Sequence, residues 1–304
     1  MNTTLHSLIT NNINTLIQLP YSFVTVTGID AEKFLQGQFT CDVTATNVET
    51  LQFGTVNSPK GRMYGLFKMV RIENGFLIRL ESSTVELFIS NLSKYKVFFK
   101  CEIKREEHLS AFAYTPLKSN EEHLPIRVNQ LIPTNAEFIS CISHEQSLFE
   151  IWSSDQALNK LTTNTDPEIW FALEAQLGIP ELYSATQDHF ILQYLNLQEL
   201  GAVSFKKGCY TGQEIIARLK FLGKLKKKMY LLSSPTKEVT EAGSDIYDEN
   251  SKKCGVVVRS HWSDTTSSVT LGILNTSYSD SDAKVYLTPE KKAPFNISQI
   301  NYDT

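Results

Sequence analysis

The least generic stretch of the sequence is Lys206-Lys207-Gly208-Cys209-Tyr210-Thr211-Gly212-Gln213-Glu214, where a thiol lies beside two lysines and between glycines. Glycines on either side of a cysteine let the backbone turn tightly and approach a ligand closely. The segment follows a short apolar run, Ala202-Val203-Ser204-Phe205, and precedes Ile215, Ile216, Leu219 and Leu222 at helical spacing, with Gly223 as the stop. Cys209 is thus predicted just before a helix N-terminus, where nearby cations and helix dipole both favour thiolate over thiol. The chemistry this suits is that of a reactive or ligand-contacting thiol. The same residues also suit a small side chain filling a turn, and Thr211 with Glu214 has the spacing of a capping box. Cys41, Cys101, Cys141 and Cys254 lack this setting and are read as structural.

Charge gathers around the same segment. Between Ser204 and Met229 there are eight basic residues (Lys206, Lys207, Arg218, Lys220, Lys224, Lys226, Lys227, Lys228) against one acid, Glu214. A local charge of +7 on a chain of formal charge −4 suggests an anionic partner: a polycarboxylate, a phosphate or an RNA backbone. A solvated helix face and linker would look the same. The acidic balance of the whole chain argues against a general nucleic-acid binder. The five cysteines lie far apart with no CxxC pair, and the six histidines show no HxxH or HxxxH spacing. Neither a disulfide framework nor a metal site is predicted.

The elements that position these residues read as mixed α+β. Tyr21 to Ile29 alternates and ends at a glycine, a strand signal, and Asp30 is placed to cap a short helix carrying Phe34 and Leu35. Strand-like runs over 51–80 are split by Asn57-Ser58-Pro59-Lys60-Gly61 and by a hairpin turn, Glu73-Asn74-Gly75. Ser83 and Glu86 form a capping box before Val85, Phe88, Ile89 and Leu92, and Lys96 to Lys104 reads as a strand. The pattern weakens over 105–165, where His108, His123 and His144 are read as surface residues. Asp166-Pro167 opens a helix with Ile169, Trp170, Leu173 and Leu177 on its apolar face, and Gly178-Ile179-Pro180 stops it. Beyond residue 229, short strands separated by Ser, Asp, Asn and Gly predict a small β-barrel-like terminal domain. At 304 residues with 41% apolar and 20% charged, the chain can hold two or three cores and no apolar run spans a bilayer. Met1 to Pro20 has no Lys or Arg and no continuous apolar stretch. That predicts no signal peptide and a soluble, cytoplasmic protein.

Phe205 to Ala217 closely resembles the signature of the YgfZ family of folate-binding proteins, relatives of the aminomethyltransferase (T-protein) of the glycine cleavage system. Phe34-Leu-Gln-Gly-Gln-Phe-Thr-Cys-Asp42, Ser58-Pro-Lys-Gly-Arg-Met63, Gly178-Ile-Pro180 and Asn196-Leu-Gln-Glu-Leu200 follow in the family's order. Gly255-Val-Val-Val-Arg259 and Leu271-Gly-Ile-Leu274 resemble its terminal barrel. The resemblance implies a three-domain α+β fold around a central folate cavity. It divides the chain into a discontinuous folate-binding domain (1–48 and 145–223), a second α+β domain (49–144) and a C-terminal β-barrel (224–304). The implied ligand is tetrahydrofolate or a one-carbon derivative. The implied role is an accessory one in assembling or repairing iron–sulfur clusters of client enzymes, reaching tRNA modification indirectly.

On that resemblance Cys209 is the functional thiol and Lys207, Gly208, Tyr210, Gly212, Gln213 and Glu214 shape its loop. Tyr21 and Trp170 are the expected aromatic contacts to the pterin, with Arg62 and Lys207 toward the carboxylates of the folate tail. Two departures stand out. Aminomethyltransferases carry an acid shortly after their central glycine-containing turn, whereas Asn57 to Met69 holds none. Relatives also often place an arginine just before the Gly-Ile-Pro segment, and Thr162 to Leu177 has no basic residue. A one-carbon transferase and an RNA-binding protein are the alternatives. Partners are expected to be folate and iron–sulfur clients or their assembly machinery, without direct nucleic-acid binding or membrane. With no exposed apolar stripe evident, a monomer is expected.

Overall fold

Among the described residues, short runs of alternating or wholly apolar side chains pair into three antiparallel sheets of five strands each. The computed structural model describes residues 13–117, 124–134, 137–163, 165–221, 223–263, 266–278 and 283–302. Tertiary contacts divide the chain into two compact units, Met1–Gly54 with Phe67–Pro167, and Thr55–Leu66 with Glu168–Thr304.

In the first unit one sheet has the order β3 (Gln52–Asn57), β4 (Met63–Ile72), β5 (Gly75–Glu81), β2 (Tyr21–Thr27), β6 (Glu102–Glu106). The tip of the β3–β4 hairpin, Thr55–Leu66, counts with the second unit. Ile72 pairs with Gly75, so the β4–β5 turn is centred on Glu73-Asn74, one residue earlier than the Asn-Gly pair suggests. Helix α1 (Ala31–Gln36) buries Phe34 and Leu35 as predicted, although the Asp30 side chain makes no capping bond. Helix α2 (Val85–Tyr95) buries Val85, Phe88 and Leu92. A 3₁₀ turn at Ser82–Thr84 moves its cap position to Thr84, out of register with the Ser83–Glu86 box. Phe88 meets Phe39 and Phe67 with ring centroids 6.1 and 5.9 Å apart, an aromatic centre for this sheet. The run from Lys96 is a 3₁₀ turn first and becomes β6 only at Glu102.

The weakly patterned region supplies most of the second sheet, in the order β1 (Ile13–Leu19), β7 (Ser110–Pro116), β10 (Leu148–Ser153), β9 (Glu137–Ser143), β8 (Leu131–Thr134). Leu16, Phe112, Tyr114, Ile139, Phe149 and Ile151 make its core. His108 and His144 are exposed, as expected, and His123 lies outside the described residues.

The second unit carries α3 (Pro167–Gln176), α4 (Gln213–Phe221) and the third sheet. That sheet runs β12 (Asp245–Tyr247), β13 (Lys253–Trp262), β14 (Ser268–Asn275), β11 (Lys227–Ser234), β15 (Asn296–Ser298). Its core is Tyr230, Leu232, Ile246, Val257, Leu274, Val285, Leu287 and Phe295. Ladder pairing among the described residues leaves this sheet open. Two single bridges, Tyr247 with Tyr286 and Val285 with Phe295, extend it through the segment read as a strand at 284–287. No helix among the described residues is long and apolar enough to cross a membrane.

Candidate functional site

Two loops of the second unit meet at the Cys209 segment. The first is the turn Asn57–Arg62, closed by Ser58 N donating to Arg62 O at 2.8 Å and Gly61 N donating to Ser58 O at 2.9 Å. The second is the Lys207–Glu214 segment entering α4. They join where Gly212, at φ +85°, lies against the first turn: a Cβ there would stand 2.6 Å from Ser58 O and 3.3 Å from Asn57 Cβ. Gly61 (φ +71°) in turn faces Ile215, with only 3.0 Å between an added Cβ and the isoleucine Cβ. The glycines are therefore required for contact between loops as well as for their own turns.

Cys209 is exposed at this junction. Helix α4 begins at Gln213 with Gly212 O accepting from Ile216 N, so the thiol lies three residues ahead of the cap position. Thr211 and Glu214 are one residue out of capping-box register; Glu214 is exposed and pairs along the helix with Arg218 at 3.0 Å. Of the four apolar positions predicted for α4, Ile216 is fully buried and Leu222 lies outside the described residues. Tyr210 is buried, and burial pushes its phenol up to about 12, so it stays a neutral hydroxyl at physiological pH. The Lys207 ammonium lies 5.3 Å from the Tyr210 ring centroid and is itself mostly buried, while Gly208 has open space on its Cβ side. Lys206, Arg218, Lys220, Lys224, Lys226 and Lys227 are exposed, which keeps most of the basic island available to an anion.

Arg62 is exposed, with its guanidinium donating to Asp188 O at 3.2 Å. Trp170 is 2% exposed on α3, and its indole N–H has no hydrogen-bond partner among the described residues. The buried face of α3 is Trp170, Ala172, Glu174 and Ala175, displaced from the predicted one by Glu174. Other buried polar atoms of this unit also have no partner among the described residues, Asn57 Nδ2, Gln193 Oε1 and Asn196 Oδ1 among them. Thr55 Oγ1 donates to Asn57 Oδ1 at 3.2 Å, and Gln193 Nε2 donates to Ile216 O at 2.7 Å, which fixes the orientation of both amides. Tyr21 belongs to the first unit, buried beneath Arg79, whose guanidinium carbon is 3.5 Å from its ring centroid.

Sequence reasoning missed Arg259. It is 1% exposed and donates to Ile179 O at 3.2 Å and Glu174 Oε2 at 3.3 Å, so a guanidinium reaches the Gly178–Pro180 turn from β13. A register shift between Val257 and Arg259 against β14 marks a bulge at Val258, the kind of irregularity that re-aims a side chain. An arginine directly after a Val-Val-Val run was the available signal. Arg259 Nε also donates to His261 Nε2 at 3.1 Å, so the imidazole proton belongs on Nδ1, facing Glu168 Oε2 at 2.8 Å. Burial holds His261 below its ordinary pKa, and the Glu168 hydrogen bond only partly offsets this while Arg259 reinforces it. An imidazole that resists protonation when folded but accepts a proton when unfolded makes stability fall as pH drops through the unfolded value near 6.5. A His261→Gln variant is expected to lose less urea stability than the wild type between about pH 7 and pH 5. Equal losses in the two proteins would remove His261 as the source.

No protein-family model matches the sequence. Among solved structures, the glycine cleavage system aminomethyltransferase T from Bartonella henselae is similar over 95% of this chain and 86% of its own, with a TM-score of 0.73 at 15% identity. A heterotetrameric sarcosine oxidase from Corynebacterium sp. U-96 overlaps 54% of the chain at a TM-score of 0.32 and 8% identity, a level on which nothing rests. What the first likeness establishes is the fold: this protein is built as that aminomethyltransferase is.

Proposed function

We propose that the protein binds tetrahydrofolate or a one-carbon derivative, and that it serves as an accessory factor for iron–sulfur proteins with Cys209 as its working thiol. The observation that carries this reading is the junction of the Asn57–Arg62 and Lys207–Glu214 loops, in a chain with the fold of an aminomethyltransferase. The chemistry on offer suits the ligand. A pterin presents both donors and acceptors, and the second unit holds buried donors (Asn57 Nδ2, Trp170 Nε1) and acceptors (Gln193 Oε1, Asn196 Oδ1) without partners among the described residues. Exposed lysines around Cys209 suit the carboxylate tail, and Arg259 brings a cation to the Gly-Ile-Pro turn, where the resemblance expects one. Tyr21 remains an expected aromatic contact, and the three-domain division with its folate cavity and barrel remains part of this reading.

The absence of any acid from Asn57 to Met69 favours this accessory role over aminomethyl transfer. A turnover assay for release or uptake of the aminomethyl group separates the two. For folate itself, calorimetry and tryptophan fluorescence on titration with tetrahydrofolate are expected to give saturable micromolar binding. Cys209→Ala is expected to bind equally well, which would assign the thiol to a later step. Loss of binding in that variant would put the thiol in the pocket. Absence of binding by the wild type would overturn the folate reading and leave the basic island, tested by salt-dependent tRNA binding, as the next candidate.

A further inference from the structure

The first unit exposes apolar side chains where a folded chain would ordinarily keep polar ones. Phe98 is 92% exposed, Ile29 83% and Val97 77%, while the neighbouring Phe99 turns inward onto Phe34 with ring centroids 5.2 Å apart. The two segments adjoin. Asp30 N donates to Lys100 O at 3.4 Å, Lys100 N donates to Asp30 Oδ2 at 2.8 Å, and Gly28 packs directly on the Lys100 carbonyl. Ile29, Val97 and Phe98 therefore stand on neighbouring turns as one protruding knuckle. Such a cluster marks an interaction site more often than chance exposure does.

Its rim is basic. Lys94, Lys96 and Lys100 fall within Ser93–Cys101, which contains no acid. Two acids adjoin these lysines, Asp30, whose carboxylate accepts from Lys100 N at 2.8 Å, and Glu102 just beyond Cys101, while Glu32 pairs with Arg71 at 2.5 Å. We propose that this knuckle docks a protein partner whose facing surface is apolar and acidic. A second copy fits poorly, because a two-fold interface would set the three lysines of each protomer against those of the other. An anionic bilayer would meet the same side chains and is told apart by the test. The inference is independent of folate binding.

The test is amide chemical-shift mapping on the full ¹⁵N-labelled chain. The probe is a synthetic helical peptide with Leu and Phe on one face and Asp and Glu beside it; the control peptide carries Lys in place of the acids. Shifts are expected at residues 28–34 and 94–101 with the acidic peptide only, weakening as salt is raised. Phe98→Ser, a surface change, is expected to weaken binding about tenfold or more, and Lys94→Glu with Lys100→Glu to reverse the preference between peptides. No binding, or shifts elsewhere, would overturn the proposal. So would Phe98-dependent sedimentation with phosphatidylglycerol vesicles without peptide preference, or a concentration-dependent dimer abolished by Phe98→Ser.

Discussion

Glu150→Gln is expected to destabilise the first unit by about 3–5 kcal/mol, the cost of breaking a buried charge pair from one side. Glu150 on β10 is fully buried between Lys68 on β4 (2.5 Å) and Arg79 on β5 (2.9 Å), and both cations are almost as inaccessible. Trp152 Nε1 adds a hydrogen bond at 2.6 Å. Burial alone would push the Glu150 carboxyl up, yet Arg79 and Lys68 outweigh it and hold the group below the usual carboxylate range. Glutamine keeps the shape and one acceptor but leaves two buried like charges facing each other across a neutral amide. A carboxylate with a depressed folded pKa contributes stability above its unfolded value, lost as pH falls below it. The variant should therefore also show a flatter acid limb. Urea denaturation near neutral pH measures the main effect; a change under about 1 kcal/mol would mean that the ion cluster contributes little. Adding Lys68→Met to Glu150→Gln should recover part of the loss, because it removes one stranded cation.

This cluster shows why parts of the fold were hard to read from sequence. β9 and β10 are buried along nearly their whole length, on both faces, so the period-two alternation that betrays a half-solvated strand is absent. Nothing local to Glu150 or Lys68 announces that each is satisfied by a residue about eighty positions away. The same holds for Glu174 on α3, drawn inward by Arg259 through a bulge that no local residue type announces. By contrast, α1 and α2, with the strands at 227–234, 253–262 and 268–275, follow local periodicity and were legible, while α3 and α4 were legible as helices but not in the faces they bury. The Cys209 loop was legible for a different reason: its glycines and lysines are a costly composition unless the backbone needs them. What the residues alone did not give is its neighbour, the Asn57–Arg62 turn.

That neighbour makes Gly212→Ala the sharpest test of the loop. Gly212 sits at φ +85°, where an L side chain costs about 1–2 kcal/mol. The added Cβ would also stand 2.6 Å from Ser58 O and 3.1 Å from Gly61 Cα, backbone atoms of a turn fixed by its own hydrogen bonds. One of the two loops must move, so the expected loss is roughly 2–4 kcal/mol, at the upper end for a single added methyl. Gly208, four residues away in the same loop, has nothing within 4 Å of its Cβ direction and no positive φ. Gly208→Ala should stay within about 0.5 kcal/mol of the wild type. If the junction forms part of a folate site, tetrahydrofolate affinity should drop about tenfold or more in Gly212→Ala, read at a temperature where both variants are folded. Gly208→Ala should change it little. Equal behaviour of the two variants would separate the junction from both stability and binding. A stability loss in Gly212→Ala without a binding loss would keep the junction as architecture and move the ligand elsewhere.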